Sequence, residues 1–312
     1  MVLISRLSRL LSWGGRPFEP VRQPAAAFAH PSLLRTGLLL MTLLTSGLPS
    51  IAQLRAGQLT PPLEQTPLQV VTAMVQNEKQ ARQHRTYFRY TSVERSARTG
   101  GHLWTENVAE TPDGMLRRLI AEDGEPLSSD RAAAEDRRIA ALVRDPAALR
   151  AEDADRRADE ARMGKVLDIT PKAFLFTADG MQGDCLRIAF RPNPAFTPTS
   201  YDERVVHGLA GTILIRMPEK RLCGIEGHLL DRVSFGFGLL GHIEKDSRFR
   251  VIRAPVTETD WKNSKIEVHV DGRILLLKSI SRDEDAHHSG AEPLPPHLSL
   301  AQAAALTRPA SR

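Results

Sequence analysis

The sequence predicts an α+β protein: a curved antiparallel β-sheet, an unclosed half-barrel, with helices on its concave face and a charged helical insertion. Three observations predict it. Asp-Gly pairs lie between β-rich runs at 113–114, 123–124, 179–180 and 271–272. Asp-Gly is a hairpin signal because both residues tolerate positive φ. One amphipathic segment precedes these runs, and one alanine- and charge-rich segment interrupts them. A parallel βαβ sheet would need long crossovers where the sequence has short turns.

Residues 1–52 read as a signal peptide. The run GLLLMTLLTSGL (37–48) carries no charge and follows Arg35. As a helix it spans about 18 Å, short of the ~30 Å hydrocarbon core of a bilayer. Ser50 and Ala52 put small residues at the −3 and −1 positions, which predicts cleavage after Ala52. The alternative is an uncleaved interfacial or re-entrant anchor. This leader holds five Arg and one Glu, so +4 of the formal net charge of +5 belongs to it. The remainder, at +1, has no large basic excess to drive nucleic-acid binding. Cleavage would leave a soluble periplasmic protein without a transmembrane anchor.

Residues 53–65, with prolines and glutamines, form a mobile lead-in, and one domain over 66–285 follows. Thr66-Pro67 opens a helix, a capping hydroxyl followed by proline at the first position. Leu68, Val71, Met74 and Val75 recur at helical spacing, and the helix ends near His84. Strands follow at 86–95 and 102–110 and over MLRRLIAE (115–122). The insert at 130–165 holds eighteen charged residues and a thin stripe of Ile139, Leu142, Val143 and Leu149. It reads as two short helices broken at Asp145-Pro146, because proline is disfavoured inside a helix. It is either a solvated excursion packed by one face or a lid over a cavity. Strands resume at 172–178 and 185–190, with a short helix at 201–209. Further strands at 211–217, 221–235 and 242–256 lead to a last hairpin, 265–282, turning at Asp271-Gly272. Residues 286–312, with His287-His288 and several prolines, read as a mobile tail with one helical turn near 298–306.

Cys185 and Cys223 are the two cysteines. In an oxidising compartment they can pair, stabilising the fold by roughly 3–4 kcal/mol in the chain-entropy model. The alternative is two buried thiols on separate strands.

A short amphipathic helix leads into YFRYTSVER, then GGHLW and an Asp-Gly turn. A hairpin, ILIRMPEKRLCGIEG, follows later, with a glycine-rich turn and a long alternating strand. In this order the chain resembles the periplasmic lipoprotein-carrier superfamily: the LolA- and LolB-like lipoprotein-sorting factors of the outer membrane and related envelope-stress sensors. The resemblance covers about 66–285. It implies a curved open sheet with helices in its concavity and a groove that holds acyl chains. No residue-level signature transfers particular ligand contacts.

Catalytic and cofactor signals are thin. Gly236, Gly238 and Gly241 spell G-x-G-x-x-G, but the segment after them reads as a strand, not the helix a dinucleotide loop requires. Bends of a curved sheet account for these glycines better. His84, His102, His207, His228, His242 and His269 are scattered, with no H-E-x-x-H and no zinc-ribbon cysteine spacing. G-x-S-x-G is also missing. Asp202 and Glu203 near His207 read as a local ion pair with Arg204. No catalytic residue, metal or cofactor is therefore expected.

A carrier needs none of these, since each buried methylene is worth about 0.8 kcal/mol and a C16 chain roughly ten or more. Phe88, Tyr90, Trp104, Ile213, Ile215, Phe235 and Trp261 are the expected groove lining, although core packing calls for the same residue types. The expected function is non-enzymatic binding of lipid or lipoprotein acyl chains in the periplasm. The alternative is a regulatory or structural envelope protein that binds a protein partner. Sequencing the N-terminus of the exported protein is expected to begin at Gln53; a chain that keeps residues 1–52 would remove the signal-peptide reading.

Overall fold

Thr66 caps the first helix, α1 (Pro67–Gln83), through a capping box. Its Oγ1 accepts from the Gln69 N–H at 3.3 Å, and Gln69 Oε1 accepts from the Thr66 N–H at 2.8 Å. This is a computed structural model that describes residues 65–84, 86–235, 241–274 and 278–309. All of these fall in one compact unit. The leader and its cleavage site lie outside the described residues. The buried stripe of α1 is Val70, Val71, Met74, Val75 and Glu78. Leu68, expected in that stripe, is 46% exposed.

The described strands form one thirteen-stranded antiparallel sheet. A first meander comprises β1 (Tyr87–Ser96), β2 (Leu103–Thr111), β3 (Gly114–Glu122) and β4 (Glu125–Pro126). Two helices follow, α2 (Ser129–Arg144) and α3 (Ala147–Ala173). The second meander is β5 (Phe174–Gln182), β6 (Cys185–Pro192), β7 (Leu209–Arg216) and β8 (Arg221–Leu229), with α4 (Tyr201–His207) between β6 and β7. The rest is β9 (Val233–Phe235), β10 (Gly241–Ile243), β11 (Arg248–Pro255), β12 (Trp261–Ile274), β13 (Lys278–Leu294) and α5 (Leu300–Leu306). The sheet order is β4-β3-β2-β1-β13-β12-β11-β8-β7-β6-β5, with β9 and β10 as a side arm on β12. It does not close: β4 and β5 are its two ends.

One row of cross-strand partners crosses the sheet and records a change in its concave face. It runs Ile188, Ile213, Ile225, Val251, Ile266 and Ala286, then Glu94, Trp104 and Glu122. From β5 to β12 this face is apolar, and α1, α3 and α4 fill it with Val70, Met74, Leu167, Val166 and Val206. From β13 to β3 it is largely polar. The opposite face of β2 and β3 carries a second, smaller core of Ala109, Leu116, Ile139 and Ala303, under α2 and α5. Helices therefore cover both faces, not the concave one alone. Close strand approach at the bend is permitted by glycine. A Cβ on Gly211 would lie 2.0 Å from the Glu226 carbonyl oxygen, and one on Gly227 would lie 2.9 Å from the Phe249 ring.

The helix break at Asp145-Pro146 is present, but α3 is not short. It has 27 residues and carries Pro171 within its last turn, where few backbone bonds remain to be lost. At about 1.5 Å per residue it is ~40 Å long. It starts beside β3, crosses α1 and runs directly into β5 at the far end of the sheet.

The Asp-Gly pairs play different parts. Asp123-Gly124 is a two-residue turn with φ of 53° and 89°, as I′ geometry requires. At the second hairpin Pro112 and Asp113 form the turn, and Gly114 begins β3. Asp179-Gly180 is a bulge inside β5, whose turn comes later, at Gly183-Asp184. Asp271-Gly272 lies inside β12, where Gly272 admits β10: a Cβ would sit 2.5 Å from the His242 carbonyl oxygen.

The expected mobile tail is a further correction. Residues 286–294 continue β13, which pairs with both β12 and β1, and α5 packs on β2 and β3. Asp283, Asp285 and His287 are exposed while Glu284 and Ala286 are buried. The alternation is that of a strand, but polar residues on both faces hide it from a hydrophobic pattern.

Cys185 on β6 and Cys223 on β8 are joined by a disulfide across β7, with Cα atoms 6.7 Å apart. Cys223 is the extra residue of a bulge, since Leu222 and Gly224 take consecutive partners Ile215 and Leu214 on β7.

Glu78 fixes α1 to the sheet. It is 4% exposed. Its Oε1 accepts from Arg221 Nε at 2.9 Å and from the Leu222 N–H at 3.1 Å, and Oε2 pairs with Arg253. Glu78→Ala would leave two guanidinium groups unpaired in a largely buried site. We expect a loss of about 3–5 kcal/mol, read as a lower urea midpoint with an unchanged slope; a loss under about 1 kcal/mol would refute this role.

Candidate functional site

Where the concave face turns polar, aliphatic side chains cannot fill it, and an open cleft remains between the sheet, α3 and the end of α1. The cleft has two adjoining compartments that share Arg82, His84, Thr86, Arg156, Glu160, Lys262 and Asn263. The outer compartment is about 1050 Å³ and the inner about 490 Å³. The inner floor is apolar, formed by Met163, Leu167, Leu222, Ile225, Val251 and Ile266. The outer floor is Tyr90, Met115 and His288, with Arg157, Ala161 and Gly164 of α3 above them.

Each wall is set by local structure. Arg82 and His84 stand at the end of α1. Arg156 and Glu160 are one turn apart on α3 and pair with each other. Arg156 and Arg157 also both pair with the buried Asp153. On β12, Lys262 Nζ lies 2.9 Å from both oxygens of Glu110 and 4.3 Å from the centroid of the Phe88 ring. The same carboxylate accepts from the Phe88 N–H at 3.2 Å.

Three of the seven expected lining residues reach the cleft. Tyr90 lines the outer compartment, and Phe88 and Trp261 line the inner one. Ile213, Ile215 and Phe235 are 5% exposed or less and belong to the filled apolar core. Beside Ile213 only about 40 Å³ stays open, room for about one water and not for an acyl chain. Trp104 lies elsewhere on the polar face, donating to Glu122 Oε1 at 3.0 Å beneath the Arg98 guanidinium. Arg82, Arg156 and Lys262 escaped notice because nothing in their local sequence marks three separate cations as neighbours.

Beside the cleft lies a buried charge network. Arg98 donates to Glu94 Oε2 at 2.8 Å and to Glu106 Oε2 at 2.6 Å, and Ser96 Oγ donates to Glu94 Oε1 at 2.6 Å. Burial would raise the Glu94 pKa, but hydrogen bonds from Arg98 and Ser96 and the charges of Arg98 and Arg117 outweigh it. They hold that carboxyl at about 2. Burial pushes the Tyr90 phenol up to about 12, so it remains a neutral donor. The Tyr90 ring lies 4.9 Å from that of His288, centroid to centroid. Burial, and then the Arg117 charge, lower the His288 pKa. Its Nδ1 lies 3.0 Å from the Asn263 carbonyl oxygen. A carbonyl only accepts, so Nδ1 carries the proton and Nε2 is left as an acceptor.

Other expected features are placed as follows. His207 Nε2 meets the Asn193 carbonyl oxygen at 2.9 Å, while Arg204 stacks 4.2 Å from the Tyr201 ring centroid. Glu203 accepts from the Thr199 N–H and hydroxyl. The expected ion pair around Arg204 is therefore replaced by capping and stacking. His287 and His288 point to opposite faces of β13, so they do not act as a pair. Residues 236–240 of the glycine motif lie outside the described residues. The segment after it forms β10 and β11. Among the described residues no three His, Cys, Asp or Glu side chains converge as a metal site, and no helix is long and apolar enough to cross a membrane.

Comparison with protein-family models, with curated proteins and with solved structures returns no match.

Glu94 and Glu78 both have folded-state pKa values below the ordinary carboxylate value. Their stabilisation is therefore present above about pH 4–5 and lost as the pH falls through the folded values. Glu94 alone contributes on the order of 2–3 kcal/mol. Urea midpoints measured from pH 7 to pH 2.5 should fall steeply below pH 5. Glu94→Gln should lower the midpoint at pH 7 and flatten that fall; an unchanged pH profile in the variant would refute the assignment.

Proposed function

We propose that this chain is a non-enzymatic periplasmic protein that binds lipid or lipoprotein acyl chains in the cleft beneath α3, in the manner of lipoprotein sorting. The observation that carries the reading is the two-compartment cleft. Its inner floor is aliphatic, it adjoins Phe88 and Trp261, and its combined space is large enough for a chain-like ligand. The signal peptide expected from residues 1–52 supports the location, and the half-barrel with helices in its concavity supports the mode of binding. The charge clusters around the cleft are mostly spent on one another, which suits a container better than a reaction centre.

A second reading, a regulatory or structural envelope protein with a protein partner, is favoured by one feature. β5 is nine residues long and, among the described residues, pairs only with β6, which leaves its outer edge for strand addition. The other end of the sheet is only the two residues of β4, one of them Pro126.

Gly164 separates the readings. It lies on α3 above the outer compartment, and a Cβ there meets nothing within 4 Å. Gly164→Phe should fill the cleft, and losing a mid-helix glycine should not weaken the helix. Native mass spectrometry of detergent-free protein, with organic extraction, is expected to show a lipid adduct on the wild type. The variant should lose it with its thermal midpoint unchanged. A lipid-free wild type would favour the protein-partner reading, and lipid retained by a folded variant would exclude the cleft as its site.

A further inference from the structure

We propose that the ligand of this cleft is an anionic amphiphile, whose acidic head group sits against Arg82 while its chain lies on the apolar inner floor. This rests on the lipid-binding reading above and names the class of lipid. Arg82 lines both compartments and stands where they meet.

The other cations of the cleft are engaged. Arg221 and Arg253 hold Glu78 and also donate to the backbone oxygens of Thr259 and Trp261. Lys262 holds Glu110, Arg156 holds Asp153 and Glu160, and Arg157 holds Asp153. Arg82 has no hydrogen bond or ion pair among the described residues, although its guanidinium carries five N–H donors.

The groups around Arg82 come from three elements. Glu78 on α1 and Glu160 on α3 attract it, and Arg253 on β11 repels it. Both acids have nearer partners. Arg82 itself is exposed, so its donors face the cleft and its solvent and are free to take an anion. A carboxylate or a phosphate monoester would supply one, in the bidentate geometry that guanidinium favours. A neutral head group would leave those donors unused. The floor beside it, with Leu167, Ile225, Val251 and Ile266, can carry an aliphatic chain between the charged residues of the walls.

The test measures affinity by titration calorimetry for three C16 probes: palmitate, hexadecyl phosphate and hexadecanol. Wild-type protein is expected to bind at least one acid about tenfold or more tightly than the alcohol. The acid preferred tells a carboxylate source from a phosphate one. Arg82→Gln should cut that preference to near unity and leave hexadecanol affinity unchanged. Arg137→Gln, an exposed cation on α2, should preserve it. Equal wild-type affinity for acids and alcohol, or a preference that survives in Arg82→Gln, would overturn the head-group assignment and leave lipid binding standing. If no probe binds the wild-type protein, the lipid reading falls and takes this inference with it.

Discussion

The carboxylate of Glu78 lies between Arg221 of β8 and Arg253 of β11, in the apolar half of a sheet whose two halves are unlike. On one side the concave face is aliphatic, and α1 presses Val71, Met74 and Val75 into it. On the other it carries Glu94, Glu106 and Arg117. A helix laid on such a face could slide, because apolar packing is non-directional. The charge-assisted bonds to β8 and β11 remove that freedom. With α1 held there, α3 has a neighbour to pack against on its way between the ends of the sheet.

The cleft follows from the same division. Aliphatic surfaces collapse on one another until little space is left, as around Ile213. Charged side chains resist this, because each must keep its partners or lose several kcal/mol. Glu94, Arg98 and Glu106 satisfy one another on the face of the sheet and offer no apolar surface for α3 to settle on. The open space beneath α3 is thus the mark of a face that its own helices cannot cover. Well-packed apolar residues in place of the whole network could match its stability. Here the ion pairs keep a volume unfilled.

Much of the fold was legible in the sequence because apolar periodicity reports one-sided burial. The runs of β1 to β3 and the pairing of β7 with β8 rest on it, while the cap at Thr66 and the break at Asp145-Pro146 rest on the backbone chemistry of a hydroxyl and of proline. The periodic signal fails where a strand is polar on both faces, which is why residues 286–294, the last part of β13, look like a tail in the sequence. Asp-Gly was a turn at residues 123–124 but a bulge at 179–180 and a site of close strand approach at 271–272, since all three demand a small or permissive residue. The groove was half legible. Phe88, Tyr90 and Trp261 reach the cleft, while Ile213, Ile215 and Phe235 do not, because core and cavity draw on the same side chains and only topology separates them.

The place of β13 bears on how the molecule comes together in time. It pairs with β12, its neighbour in sequence, and with β1, where Tyr87 faces Leu294. A chain emerging from its N-terminus carries the first meander for some two hundred residues before the strand that joins it to the second. Until then β1 and β12 are open borders, able to recruit the wrong strand or another molecule. Closure is a late, long-range event, of the sort that slows folding. A chain cut short before β13 would hold nearly all of its apolar residues and yet lack the strand pairing that joins its halves into one sheet.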